Sequence, residues 1–168
     1  MSAPLPGARA HIEAALKLAA TIDDLAPDTP LLPIAKVGVI GAGTMGGGIT
    51  MNFLTAGIPV TIVEQEQAAL DRGVAVMAKN YEASVKRGRI EAADAAAAMA
   101  RLTPSLSFDD LADCDLVIEA VYESMDVKKD VFGRLDKIVK PGAILASNTS
   151  YLDVNEIAAA TTRPEAVL

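Results

Sequence analysis

The sequence predicts an α/β fold: a doubly wound, mainly parallel sheet with a long helical pair inserted after the second strand. Three observations predict it. From Lys36 onward, short apolar runs alternate with longer segments of helical period, the pattern of repeated strand–helix–strand crossovers. The first apolar run, Val37 to Ile40, leads straight into the glycine-rich turn Gly41-Ala42-Gly43-Thr44-Met45-Gly46. The run Leu116 to Val121 is almost unbroken in its apolar character, as expected of a strand covered on both faces.

The elements follow in order. Residues 1–7 are expected to be disordered. Residues 8–25 place Ile12, Leu16, Ala19 and Ile22 at helical spacing, an amphipathic pattern. Pro27, Pro30 and Pro33 then stand at every third position, which favours an extended connector. Residues 1–35 therefore form an N-terminal helix and Pro-rich linker, and residues 36–168 the folded domain. The turn at Gly41 opens a helix through Ile49, Phe53 and Leu54, and Val60 to Val63 is the second strand, ending at Glu64. A helix over 67–87 is broken by Gly88, and a second runs over about 91–100 through the alanine-rich stretch. Leu102 to Leu106 reads as the third strand and Leu116 to Val121 as the fourth. A helix over about 125–139 is stopped by Pro141-Gly142, and Ala143 to Ala146 forms the fifth strand. A short helix runs from about Asp153 to Ala160, and a sixth strand begins near Ala166.

Composition bounds the function. The chain has 168 residues, 51% hydrophobic and 22% charged, enough for one domain with a real core. Its net charge of −7 argues against nucleic acid and anionic membranes as partners. Cys114 is the single cysteine, so no internal disulfide can form and a reducing, cytoplasmic setting is expected. No apolar run approaches a membrane span, and the N-terminus lacks the pattern of a secretory signal.

The glycine turn carries the first chemistry. Gly41, Gly43 and Gly46 have the G-x-G-x-x-G spacing of a Rossmann-type dinucleotide-binding turn. Gly41 permits the tight turn, Gly43 lets backbone approach a pyrophosphate, and Gly46 lets the helix pack on the strand. The anion would sit on free N–H groups at the helix N-terminus. Glu64, 18 residues past Gly46, can accept both hydroxyls of an adenosine ribose. Its charge would repel a 2′-phosphate, and Gln65 and Glu66 supply no arginine to offset that, so NAD is favoured over NADP.

In such sheets ligands bind at the carboxyl ends of the strands. Polar groups fall at those ends three times: Glu64, then Glu119 with Glu123 around Ala120, then Ser147-Asn148-Thr149-Ser150. Each also has a plain reading. Glu119 could be a solvated strand-end charge, and Ser150, three residues before Asp153, could cap the helix that follows.

These segments resemble the NAD-binding domain of L-3-hydroxyacyl-CoA dehydrogenases, most of all the form inside multifunctional fatty-acid β-oxidation enzymes. The resemblance rests on Val39 to Ile49, Asp115 to Val121, Val127-Lys128-Lys129 and Leu145 to Ser150, and it covers about residues 36–168. The helix and Pro-rich connector before Lys36 resemble the hydratase-to-dehydrogenase linker of the fused enzymes. The resemblance implies that Gly41, Gly43 and Gly46, with Thr44 and Met45, carry the NAD pyrophosphate and that Glu64 holds the adenosine ribose. It places Glu119 and Ala120 near the nicotinamide half. Ser150 would hydrogen-bond the 3-oxygen of an acyl-CoA substrate. The helical pair would help hold the CoA, with Lys79 and Lys86 as candidates.

The resemblance also marks a gap. The family's general base is a histidine in a Gly-Leu-His-Phe-Phe type segment that falls beyond the position of Leu168, whereas the only histidine here is His11, before the fold begins. Residues 1–168 alone are therefore expected to lack turnover, and a sheet whose sixth strand only begins at Ala166 is expected to self-associate through its edge or an uncovered face, or else to end in a frayed C-terminus. Two other readings remain open: a non-catalytic, stand-alone NAD-binding or regulatory module, and another β-hydroxyacid dehydrogenase with a similar glycine turn.

Overall fold

The computed structural model describes residues 7–19, 21–22, 25–26 and 28–168, in two compact units, Met1–Leu32 and Pro33–Leu168. The expectation of disorder over 1–7 lies, except for Gly7, outside the described residues. In the first unit, helix α1 spans Ala8–Ala19 and is shorter than the 8–25 expected. The Thr21 hydroxyl donates to the Lys17 carbonyl at 3.0 Å, the acceptor that a continuing helix would have used. The following bonds, Thr21 N–H to Leu18 O and Leu25 N–H to Ile22 O, span three residues and close turns instead.

The second unit is the α/β domain. Five parallel strands, β1 (Val37–Ile40), β2 (Val60–Val63), β3 (Leu102–Ser105), β4 (Leu116–Glu119) and β5 (Ile144–Ser147), stand in the order β3-β2-β1-β4-β5. The order reverses at β1, so the carboxyl ends of β1 and β4 flank a crevice. Helices α2 (Thr44–Thr55), α3 (Gln67–Lys86) and α4 (Ala92–Met99) connect the strands on the β1-to-β3 side. Helices α5 (Met125–Ile138) and α6 (Val154–Ala158) follow β4 and β5. Gly88, at φ +64, breaks the long helix as its conformational freedom suggests.

Alternation along the strands divides the core in two. Val37, Val39, Val60 and Ile62 pack with Leu54, Leu70, Met77, Tyr81, Ala95 and Ala98 from α2, α3 and α4. Ile40, Val63, Val117 and Leu145 pack with Val131, Phe132, Leu135 and Ile157 from α5 and α6. Burial of both strand faces is the doubly wound arrangement.

Two strand expectations are corrected. The fourth strand ends at Glu119 rather than Val121, and its Leu116 and Ile118 face is only half-buried. The Ala120 N–H still pairs with the Ile40 carbonyl, but the next N–H, of Val121, bonds the Glu119 carboxylate at 2.8 Å and leaves the ladder. At the C-terminus, Pro164–Ala166 forms a 3₁₀ turn, so parallel pairing on β5 begins at Val167 rather than Ala166. The Leu168 N–H bonds the Leu145 carbonyl at 2.9 Å, and the Ser147 N–H bonds the Leu168 carbonyl at 2.8 Å.

Cys114 lies wholly buried beside Gly38, and desolvation pushes its thiol up to about 11. A group so rarely ionised is a poor nucleophile. Iodoacetamide at pH 8 should leave Cys114 unmodified in the folded chain and alkylate it fully in denaturant, as read by mass spectrometry. Native-state alkylation as fast as that of the denatured chain would contradict this placement.

Candidate functional site

The glycine turn joins β1 to α2, and its three glycines do three different things. Gly41 has φ +98, and a Cβ there would stand 2.6 Å from the Ala120 carbonyl oxygen. Both the backbone conformation and the neighbouring strand end therefore require glycine. A Cβ on Gly46 would fall 1.9 Å from the Gly41 carbonyl oxygen, so this glycine lets α2 sit against the turn. Gly43 is the N-cap of α2 at φ −73, and a Cβ there meets nothing within 4 Å. Neither strain nor packing demands glycine at 43. What a side chain would fill is the open space in front of the helix N-terminus, where Thr44 and Met45 are also exposed.

Two cavities, each about 460 Å³, meet at this turn, and Gly43 and Glu64 line both. One lies between α2 and α3, with Gly47, Gly48, Arg72, Val76 and Asn80 on its walls. The other opens toward β4, with Ile40, Gly41, Ala120, Val121, Tyr122 and Val127. Glu64 stands at the end of β2 between them. Its Oε2 accepts from the Ala42 N–H at 3.0 Å and its Oε1 from the Gln65 N–H at 2.8 Å. The carboxylate is thus fixed to the turn, and each oxygen keeps a lone pair for a ribose hydroxyl. An open N-terminus for a pyrophosphate and an oriented carboxylate for a ribose fit NAD.

The second half of the site is an ion cluster at the ends of β4 and β5. Glu119 is wholly buried, contrary to its reading as a solvated charge. The register pairs it with Ser147, whose hydroxyl donates to Glu119 Oε2 at 2.7 Å. Lys128, also wholly buried, reaches Glu119 Oε1 at 2.9 Å and Oε2 at 2.8 Å, and Glu123 Oε2 at 3.2 Å. Glu123 Oε1 in turn accepts from the Thr149 hydroxyl and from the Ser150 N–H at 3.1 Å. The Thr149 hydroxyl bond, then burial opposing it, then Ser150 and Lys128, leave the Glu123 carboxyl below the usual glutamate range. The Asn148 N–H bonds the Glu119 carbonyl at 2.8 Å. Ser147, Thr149 and Ser150 are therefore held by two carboxylates that share one ammonium, and Asn148 by the backbone of the first.

The structure brings Gly41, Gly43, Gly46, Glu64, Ala120 and the loop carrying Ser150 to one edge of the sheet, as the strand-end reading anticipated. It places the Glu119 side chain inside, in the service of Lys128, Ser147 and Val121, so only its strand position borders the crevice. Ser150 is exposed and does not cap α6; Asp153 does, accepting from the Asn155 N–H at 2.8 Å. Lys79 and Lys86 are both exposed on α3, and Lys86 lines a different groove, between α3 and α4. His11 lies in α1, in the other unit.

Three residues escaped sequence reasoning as site residues. Lys128 left a signal: it occupies the stripe completed by Val131, Phe132 and Leu135, a charge on the buried face of an amphipathic helix. Gly73 admits α3 to the turn, since a Cβ there would stand 2.5 Å from the Ala42 carbonyl oxygen. Arg72 gives the Glu64 cavity a cation that the adjacent sequence lacked.

Comparison with known proteins agrees with this geometry. The family model for the 3-hydroxyacyl-CoA dehydrogenase NAD-binding domain matches residues 36–168. A 3-hydroxybutyryl-CoA dehydrogenase of Clostridioides difficile is 41% identical over 133 residues, which are 79% of this chain and 47% of that protein. The peroxisomal bifunctional enzyme of Cavia porcellus is 41% identical over 140 residues, 81% of this chain and 19% of that protein. Among solved structures, (S)-3-hydroxybutyryl-CoA dehydrogenase from Ralstonia eutropha matches with a TM-score of 0.78 at 39% identity, covering 80% of this chain and 48% of that one. The dehydrogenase part of a multifunctional enzyme from C. elegans matches with a TM-score of 0.76 at 27% identity, over 93% of this chain and 38% of that one. The chain spans about half the length of the 3-hydroxybutyryl-CoA dehydrogenases it matches. Among the described residues no helix is long and apolar enough to cross a membrane. With a Rossmann-type sheet, an open glycine turn and a family match over the whole α/β domain, the chain belongs to the 3-hydroxyacyl-CoA dehydrogenase NAD-binding domain family.

Proposed function

We propose that these residues hold NAD and the 3-oxygen of an acyl-CoA for the oxidation of a 3-hydroxyacyl-CoA to the 3-ketoacyl-CoA in fatty-acid β-oxidation. The carrying observation is that the open position at Gly43 and the anchored Ser150 loop share the carboxyl edge of one sheet, with only the end of β4 between them. NAD, when bound, supplies the hydride acceptor. Gly43 and the N–H groups opening α2 receive the pyrophosphate, with Thr44 and Met45 beside it. Glu64 receives the adenosine ribose, and Ala120 and the β4 end border the nicotinamide half. Ser150 donates to the substrate oxygen. The C3–H leaves as hydride and the hydroxyl proton goes to a general base, which in the resembled family is a histidine outside these residues. The cavity between α2 and α3 suits the CoA arm: Gly48 presents no side chain to it, and Arg72 and Asn80 offer polar contacts.

Residues 1–35 serve on this reading as a helix and Pro-rich linker of a multifunctional enzyme. The 93% coverage by the C. elegans dehydrogenase part supports it, since that match reaches residues before Lys36. A single cysteine, which can form no internal disulfide, suits a reducing compartment, the cytoplasm.

The reading is tested by joining residues 1–168 to the remaining length of a matching 3-hydroxybutyryl-CoA dehydrogenase. The joined protein should reduce acetoacetyl-CoA with NADH, and Ser150→Ala should lower its kcat/KM by about 10–100-fold, the loss of one hydrogen bond to a reacting oxygen. Residues 1–168 alone should bind NADH yet turn over at least about 10²-fold more slowly. Cofactor binding with no turnover in the joined protein would favour the stand-alone binding module.

NAD should bind about tenfold or more tightly than NADP, because Glu64 meets a 2′-phosphate with like charge. Glu64→Ser should weaken NAD and narrow that gap, as read by calorimetry. Equal affinity of the unaltered chain for both cofactors would remove the role given to Glu64.

A further inference from the structure

We propose that the ion cluster Glu119–Lys128–Glu123 sets the balance between oxidised and reduced cofactor, its one net negative charge favouring the cationic nicotinamide of NAD⁺ over the neutral ring of NADH. The inference rests on the reading that Ser150 holds the substrate oxygen. Hydride transfer then brings the nicotinamide to about 3–3.5 Å from the carbon bearing that oxygen, so the ring must lie close to Ser150. Glu123 is bonded to the Ser150 N–H at 3.1 Å.

The charge count follows from the contacts. Lys128 directs its ammonium to three carboxylate oxygens, two of Glu119 at 2.8 and 2.9 Å and one of Glu123 at 3.2 Å. Glu119 is saturated by these bonds together with those from the Val121 N–H and the Ser147 hydroxyl. One ammonium cannot neutralise two carboxylates. The uncancelled charge resides on Glu123, whose side chain is 27% exposed while Lys128 and Glu119 are at 0%. Among the described residues Glu123 bridges no cation other than Lys128, and Lys129, the next residue of α5, is paired with Glu156 at 3.3 Å. Glu64, across the crevice, adds charge of the same sign. Glu119 acts here as a positioning residue, holding Lys128 back so that Glu123 keeps its charge at the rim.

A point charge a few ångströms from a ring that gains a positive charge on oxidation changes the relative affinity of the two forms. The test measures dissociation constants for NAD⁺ and for NADH with the full chain and three variants, each checked for folding by circular dichroism. In Glu123→Gln the ratio Kd(NAD⁺)/Kd(NADH) should rise about five- to tenfold. Nearly all of that change should come from NAD⁺. In Glu119→Gln, which also removes one negative charge but no rim group, it should rise about threefold. In the double variant Glu119→Gln/Lys128→Met the net charge returns to one negative, and the ratio should return to within about twofold of the unaltered chain. An unmoved ratio in Glu123→Gln overturns the proposal. So does a shift in Glu123→Gln with none in Glu119→Gln, which would assign the effect to a local contact. If both cofactor forms bind and only the ratio fails to move, the functional reading stands without this inference; if neither form binds, both fall.

Discussion

Gly43→Val should abolish NAD binding and leave the fold intact. The position has φ −73 and ψ −167, which valine adopts without strain, and its Cβ would meet no protein atom within 4 Å. The new side chain instead occupies the approach to the α2 N-terminus. A loss of about 100-fold or more in NADH affinity is expected, with the melting temperature within about 2 °C of the unaltered chain. Gly46, three residues on, should behave in the opposite way. A Cβ there would overlap the Gly41 carbonyl oxygen at 1.9 Å, so even Gly46→Ala must lift α2 from the turn, at a cost of about 3 kcal/mol or more. Calorimetric titration and thermal melts on the two variants separate the roles. NADH binding by Gly43→Val within threefold of the original would show that the open space is not the pyrophosphate site.

Lys128→Met should be the most damaging change in the second half of the domain. It leaves Glu119 buried without its cation and Glu123 without its shared proton donor. Removing one partner of a buried ion pair costs about 3–5 kcal/mol, because the other charge stays behind. Glu119→Gln in the same chain should recover a large part of that loss, since the buried charge is then gone as well. Urea melts of the two single variants and the double variant form the cycle that measures this coupling. Equal and additive losses would mean that the pair contributes no more than its packing.

Much of the domain was legible because its signals are local. The strand runs, the helix break at Gly88, the turn at Gly142, and the three glycines of the turn after β1 each reveal their conformation within a few residues. The functions of Gly41 and Gly46 also follow from spacing, since strand, turn and helix are contiguous. Misreadings arose where a side chain competed with the backbone. Thr21 closed α1 early, and Glu119 took the Val121 N–H and shortened β4. Such contests are decided by one hydrogen bond, which periodicity does not rank.

By itself the sequence determined the fold class, the glycine turn between β1 and α2 and the strand end at which Ser150 stands, because each depends on chain-local geometry and apolar period. Only the tertiary structure decided how Ser150 is held. Lys128 was visible as a charge on an apolar stripe, but its neutralising partners lie on β4 and the loop after it. The loop it steadies follows β5. Those contacts depend on the register that sets Glu119 opposite Ser147, and register between strands joined by a helical crossover is settled by packing across the sheet. A buried charge is stable only with its partner in place, so the fold had to exist before the identity of that partner could be read.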